Sequence, residues 1–299
     1  MEEGKFKSGF VTIIGRPNVG KSTLLNQLVG QKVAIMSDKP QTTRHKIHSI
    51  ITREDAQVIF LDTPGIHKPR HKLGEYMVEV ALGTLKEVDL ILFLVEPQPP
   101  GPGDEFIIAQ LREVQTPVFL VINKIDLLKK KTELLPVIDA YRGKYNFAEY
   151  IPISALERDN LDKLVDLVVS YLPYGPKYYP EDMVTDRPER FIMAELIREK
   201  VLHLTSQEVP HGVAVVVEEV ERRSPRLTYV RATVYVDKES HKAILIGRGG
   251  RMLKEIGKLA REEMEALFGS QIYLDLWVKA RPGWRDHDLY LRNFGYVEE

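Results

Sequence analysis

Nine residues, GRPNVGKST from Gly15 to Thr23, follow an apolar run and precede a helical pattern. They satisfy G-x-x-x-x-G-K-[ST] in the strand–loop–helix setting where that spacing cradles phosphates. Gly15 and Gly20 let backbone amides approach an anion, and Arg16, Pro17, Asn18 and Val19 form the loop between them. Lys21 would reach the β- and γ-phosphates. Ser22 would give an oxygen to magnesium, with Thr23 beside it opening the helix, whose N-terminus favours negative charge.

A second stretch, LDTPGI from Leu61 to Ile66, ends the apolar run AQVIFL. Asp62 is the acid expected to serve a magnesium ion, followed by Thr63 and Pro64. The Gly65 amide is expected to meet a γ-phosphate. In Ras-type switches the next residue is a glutamine that orients the attacking water. Here it is Ile66, which neither donates nor accepts a hydrogen bond. A polar loop, QTTRH from Gln41 to His45, is the candidate for the other switch. Thr43 is preferred for the hydroxyl on magnesium, with Thr42 second. Lys21, Thr43 and Gly65 are therefore the expected catalytic set. His67 and His71 lie near the second switch and read as solvated.

The base is read from NKID, Asn123 to Asp126, after the run PVFLVI. An ionised Asp126 can accept both N1–H and N2–H of guanine, a pair that adenine lacks. Lys124 would lay its stem over the base. Ser154, Ala155 and Leu156 follow YIPI and would offer an amide to the guanine oxygen. GTP or GDP with Mg2+ is the ligand these loops predict. Asn18 also offers a neutral side-chain oxygen, a ligand suited to K+, as the means of replacing charge that Ile66 does not provide; the alternative is that it stabilises its own loop.

These loops need strands to hold them. From residue 10 to about 172, apolar runs (FVTII, AQVIFL, VDLILFLV, PVFLVI) alternate with longer amphipathic segments. That grammar predicts an α/β P-loop domain with a mostly parallel sheet and helices on both faces. Ligand loops then gather at the carboxyl ends of the strands. The domain is expected over 1–172. A stretch with Pro173, Pro176, Pro180 and Pro188 follows and reads as a semi-stiff linker over 173–189.

The 299 residues suit two domains, with 43% hydrophobic and 28% charged residues. The formal net charge of −1 announces no global field for a nucleic acid, so any such site must be a local patch. No cysteine is present, which excludes disulfides and thiolate chemistry and fits a reducing compartment. The N-terminus MEEGKFKSGFVTIIG lacks the pattern of a secretory signal, and LILFLV is too short to cross a bilayer, so a cytoplasmic place is expected. A peripheral contact with a membrane is left open.

From 190 to 299 the pattern changes to helix, hairpin, helix pair and strand, an α-β-β-α-α-β order for a small α+β domain. The helix pair surrounds Gly247, Arg248, Gly249 and Gly250, followed by Arg251 and Lys254. No Lys-Ser/Thr follows these glycines, so a second nucleotide-phosphate site is not expected there. From His241 to Arg292 there are ten Lys and Arg against seven Asp and Glu. Trp284 in the tail either stacks on a ligand or packs on the sheet, and packing is preferred.

Together, GRPNVGKS, QTTRH, DTPG, NKID and SAL resemble the five consensus loops of translation-factor-class GTPases. The second half resembles a type II KH domain, whose G-x-x-G loop clamps about four nucleotides of single-stranded nucleic acid. A GTPase domain of this kind followed by a KH domain resembles the Era family of ribosome-assembly GTPases over nearly the whole chain. The resemblance implies GTP hydrolysis and binding of the 3′ end of 16S rRNA. The RNA-facing set would be Gly247, Arg248, Gly249, Gly250, Arg251 and Lys254. It further implies assistance to 30S subunit assembly by a monomer, with loose association at the inner face of the cell membrane. The competing functions are a GTP-gated RNA-binding module with little catalysis and a membrane-linked signalling switch.

Overall fold

A computed structural model describes residues 6–37, 39, 42–66, 69 and 71–296. Gln41 and His67 lie outside the described residues. The chain forms two compact units. One contains residues 1–34, 43–69 and 77–186, and the other 35–42, 70–76 and 187–299.

The first unit is built on a six-stranded sheet. Its strands are β1 (Lys7–Ile14), β2 (Ile47–Thr52), β3 (Ala56–Asp62), β4 (Leu90–Val95), β5 (Val118–Ile122) and β6 (Glu149–Pro152). Their order is β2-β3-β1-β4-β5-β6, and every pairing is parallel except β2 with β3. Every residue of β3, β4 and β5 is buried, as a strand covered on both faces requires. Side chains alternate between two cores. Leu90, Leu92 and Leu94 join one with Val11 and Ile13. Ile91, Phe93 and Val95 join the other with Ile14 and Ile59.

Among the described residues, five helices cover this sheet: α1 (Lys21–Val29), α2 (Lys72–Gly83, of which residues from 77 on belong to this unit), α3 (Pro102–Leu111), α4 (Leu134–Arg142) and α5 (Leu161–Tyr171). Leu24 and Leu25 of α1 and Leu164 and Val168 of α5 share the first core. Ala81 of α2, Ile107 and Leu111 of α3 and Tyr141 of α4 share the second. Because β1 lies between β3 and β4, the chain leaves its two sides in opposite directions. The crevice this opens is at the carboxyl end of β1, where the Gly15–Thr23 loop begins.

The proline-rich stretch does not run free. Ser8 N donates to Pro173 O at 3.1 Å and Gly175 N to Phe6 O at 3.1 Å. Buried Gln57 then captures the backbone of the next turn. Its Oε1 accepts from the amides of Tyr178 and Tyr179 at 2.8 and 3.0 Å, and its Nε2 donates to Tyr179 O at 2.9 Å. Ile50 N donates to Val184 O at 2.9 Å. Prolines deny the segment a helix, and a strand glutamine satisfies the backbone that is left.

The second unit has α6 (Glu189–Leu204), β7 (Val213–Ser224), β8 (Leu227–Val236), α7 (Glu239–Ile246), α8 (Arg251–Phe268), β9 (Gln271–Ala280) and α9 (Asp288–Asn293). The sheet order is β7-β8-β9, with β7–β8 antiparallel and β8–β9 parallel. This is the expected α-β-β-α-α-β order. The core joins Met193, Leu196 and Ile197 of α6, Val230, Ala232 and Val234 of β8, and Ile256, Ala260 and Met264 of α8. The 35–42 segment belongs to this unit through Met36, whose N–H donates to Glu199 Oε1 at 2.8 Å. Trp284 is fully buried, donates Nε1 to Gly212 O at 3.0 Å and stacks on Tyr296. It packs inside the tail, and no face of it is left for a ligand.

Among the described residues, no helix is long and apolar enough to cross a membrane.

Candidate functional sites

The phosphate loop is shaped by close approaches that no side chain could share. A Cβ on Gly15 would lie 2.4 Å from Leu94 O, and one on Gly20 would lie 2.3 Å from Asn123 Nδ2. Gly20 also has φ +102°, and Asn18 has φ +67°, a conformation asparagine tolerates better than most residues. Val19 is fully buried and anchors the loop to the core.

Lys21 opens α1 and is almost fully buried. Its Nζ donates to Gly15 O at 3.1 Å and Arg16 O at 2.9 Å. Burial pushes its pKa from 10.5 down to about 8, against the pull of Asp62. A phosphate brought to this ammonium would restore its charge.

Three oxygens converge beside it. Ser22 Oγ and Thr43 Oγ1 are 3.2 Å apart, and Thr43 Oγ1 donates to Asp62 Oδ2 at 3.4 Å. Two hydroxyls and a carboxylate are hard donors that fit Mg2+, which binds few protein groups and completes its shell with water and phosphate oxygens. Thr42 is directed elsewhere, its hydroxyl donating to Lys39 O at 2.6 Å. Thr63 is buried and donates to Ile13 O at 3.2 Å, fixing the turn after β3. Pro64 precedes Gly65, whose added Cβ would be 3.3 Å from both Lys21 Nζ and Pro17 N. Gly65 therefore lies directly against the phosphate loop.

Ile66, in the glutamine's position, is 3% exposed and packs in the core with Ile59, Leu61 and Ala81. It supplies no hydrogen-bonding group to the site.

The base-side loops are tied together by Asn123. Its Nδ2 donates to Val19 O at 2.8 Å, and its Oδ1 accepts from Ala155 N at 2.9 Å. One buried amide thus joins three loops that are distant in sequence. Ser154 Oγ donates to Asp126 Oδ1 at 2.5 Å, which orients a carboxylate whose residue is otherwise exposed. Lys124, at φ +64°, reaches back with Nζ to Asn18 O at 2.8 Å and Glu96 Oε1 at 2.5 Å. Leu156 is 66% exposed.

Two acids that no motif marks complete this layer. Arg16 donates Nε to Asp104 Oδ1 at 2.8 Å, and its Nη2 lies 3.4 Å from Glu96 Oε2. Asp104 is fully buried, and its other oxygen accepts from Gly101 N at 3.0 Å, capping α3. The string GPGD carries that cap in the sequence, with Gly at the cap, Pro next and Asp at the third helical position. Nothing local marks Glu96.

In the second unit, Gly247, Gly249 and Gly250 have φ of +71°, +62° and +76°. A Cβ on Gly247 would lie 2.8 Å from Met252 Cβ, whereas Gly249 and Gly250 meet nothing within 4 Å. Gly247 closes the turn, and the other two present open backbone beside exposed Arg248, Arg251 and Lys254. The turn opens onto a cleft of about 620 Å³. Gly250, Leu253 and Lys254 line it with Gly257, Lys258 and Arg261 of α8 and Leu274 and Leu276 of β9. Lys258 and Arg261 extend the cationic side begun by Lys254. Their spacing of four and seven residues on a helix would have found them.

Residues 10–124 match the family model described as 50S ribosome-binding GTPase, and residues 208–285 match the KH domain model. A crystal structure of an Aquifex aeolicus Era variant bound to GDP and AlF4− is 45% identical, with a TM-score of 0.94. It covers 98% of this chain and 100% of that one. A crystal structure of Era with MgGDPNP and nucleotides 1506–1542 of 16S rRNA gives the same identity and coverage, with a TM-score of 0.95. A P-loop GTPase unit followed by a KH unit, similar to Era over almost its entire length, establishes that the chain belongs to the Era family of GTPases.

Proposed function

We propose that the chain is a cytoplasmic, magnesium-dependent GTPase that binds single-stranded RNA at the 3′ end of 16S rRNA and assists 30S assembly. The observation that carries the catalytic half is the convergence of Ser22, Thr43 and Asp62 beside Lys21 at the ends of β1 and β3. Lys21 holds the β- and γ-phosphates, and the loop amides from Asn18 to Ser22 surround them. Magnesium, held by Ser22 and Thr43 with Asp62 behind them, would neutralise charge on the phosphate oxygens. Asp126, oriented by Ser154, reads guanine. Because Ile66 is buried, the water is oriented by backbone at Thr43 and Gly65, and charge does the remaining work. Asn18 offers its side-chain oxygen to potassium at the phosphates.

The RNA half rests on the open backbone at Gly249 and Gly250 above a cleft lined by Lys254, Lys258 and Arg261. Phosphates lie along the cations and bases against Leu253, Leu274 and Leu276.

The test is one protein with two readouts: GTP turnover, and affinity for a 16S 3′-end RNA. Gly250→Asp should lower RNA affinity at least about tenfold through charge repulsion and a side chain on a left-handed backbone, with GTP affinity unchanged. Retained RNA binding would reject the cleft as the site. Absence of magnesium-dependent phosphate release would reject the enzyme. Equal turnover in potassium and sodium salts would reject the role of Asn18.

A further inference from the structure

β9 is an edge strand, and its two faces differ in what they meet. Ile272, Leu274, Leu276 and Val278 belong with the core and the cleft. Tyr273, Asp275, Trp277 and Lys279 alternate to the opposite face of the sheet. The tail covers one end of that face, where Phe294 stacks on Tyr235 with ring centroids 4.5 Å apart. Tyr273 and Trp277 remain 59% and 55% exposed.

Tyr273 is supported by a second ring. Tyr229 stacks behind Tyr273 at 5.8 Å, with an interplanar angle of 20°. Its hydroxyl donates to Asp275 Oδ2 at 3.2 Å, and the Arg223 guanidinium lies 4.0 Å from its ring centre. In register, Trp277 stands beside Thr233 of β8, whose small side chain leaves the indole uncovered. Lys279 follows on the same side and is exposed. Two exposed rings on one strand, four residues apart, stand about 13 Å from each other.

We infer that the part of this face of β9 that the tail leaves exposed is a second stacking surface, on which bases of a single-stranded RNA leaving the cleft rest on Tyr273 and Trp277. The inference rests on the cleft being the RNA site. Continuity argues for it. Leu274 and Leu276 line the cleft, and Tyr273 and Trp277 are their immediate neighbours through a single strand whose far edge pairs with no strand among the described residues. An RNA chain longer than the cleft has only that edge to cross, about the 4.8 Å width of a strand. Aromatic faces accept any base, so this surface adds length dependence without adding sequence preference. Lys279, two residues beyond Trp277, is placed to meet a phosphate past the second base.

The experiment uses the full chain and a nested set of single-stranded RNAs of four to twelve nucleotides from the 16S 3′ end. Trp277→Ala and Tyr273→Ala should each weaken the twelve-nucleotide RNA about tenfold. They should leave the shortest RNA that binds, and GTP, unaffected. Trp277 and Trp284 are the two tryptophans, and Trp284 is fully buried. The long RNA should therefore quench the emission that Trp277→Phe removes, and the short RNA should not. Gly250→Asp should weaken both lengths, which separates failure of the cleft from failure of the strand face. Unchanged affinity of the long RNA in both aromatic variants overturns the inference and assigns the face to a protein partner or to none. A wild-type chain that binds neither length overturns it together with the cleft.

Discussion

The nucleotide site and the RNA cleft are built in opposite ways. The first collects residues 15–22, 43, 62–65, 123–126 and 154–156, segments brought together by a mostly parallel sheet. The second is nearly continuous in sequence: one turn, the helix after it and the strand after that, residues 247–276. The first is interlocked, because Asn123 holds Val19 and Ala155, and Lys124 holds Asn18 and Glu96. The second is modular, since Lys254 and Lys258 extend from one helix into solvent. A site that needs atoms fixed around a phosphate requires buried cross-ties. A site that grips a flexible strand mostly needs charge and open backbone.

Damage should therefore spread in the first site and stay contained in the second. Asp126→Asn is the largest expected effect. The amide presents a donor to guanine's donors, so affinity for GTP should fall at least about 100-fold, with xanthosine triphosphate now accepted. Competition between the two nucleotides measures it, and an unchanged preference for GTP would show that Asp126 does not read the base.

Next is Ile66→Gln. Burying an amide in an apolar core should destabilise the first unit by about 2–3 kcal/mol, without raising kcat. Thermal unfolding and turnover together check this. A faster enzyme of unchanged Tm would mean that the side chain reaches the water after all.

On the modular side, Lys258→Gln should weaken RNA only a few-fold. It should reduce the slope of log affinity against log salt by about 0.7, as expected for one lost phosphate contact to a single strand, and leave GDP binding alone. An unchanged slope would remove Lys258 from the phosphate path.

The smallest effect is a fraction of a proton. Free Lys21 has its pKa pushed down to about 8, and a bound phosphate favours its charged form. Nucleotide binding near pH 8 should then take up about half a proton at this group, and near pH 6.5 almost none. Calorimetry in buffers of different ionisation enthalpy reads it. The sign also fixes stability: between about 8 and 10.5 the unfolded chain holds more protons on this lysine. The contribution of Lys21 to the stability of the ligand-free protein therefore rises with pH across that window. No difference between Lys21→Gln and wild type in proton uptake would assign the proton elsewhere.

The loops themselves were legible in the sequence because each is local. Glycines, a lysine and a hydroxyl at fixed spacing need only the strand before and the helix after them, and both are written as apolar patterns. The α-β-β-α-α-β order and the turn from Gly247 to Gly250 were legible for the same reason.

Tertiary structure alone decided several things. It turned the hydroxyl of Thr42, the second candidate for magnesium, away to Lys39 O. It buried Ile66 in the core and brought Glu96 and Asp104 to Arg16. It fastened the proline-rich stretch to Gln57, more than a hundred residues away. It also separated the three glycines of one turn into one that closes against Met252 and two that stay open. Most of these depend on which distant side chain arrives at a given point, through packing and hydrogen bonds that for Gln57 span more than a hundred residues. Spacing along a chain encodes what a segment can do. Only the folded core determines which partner it meets.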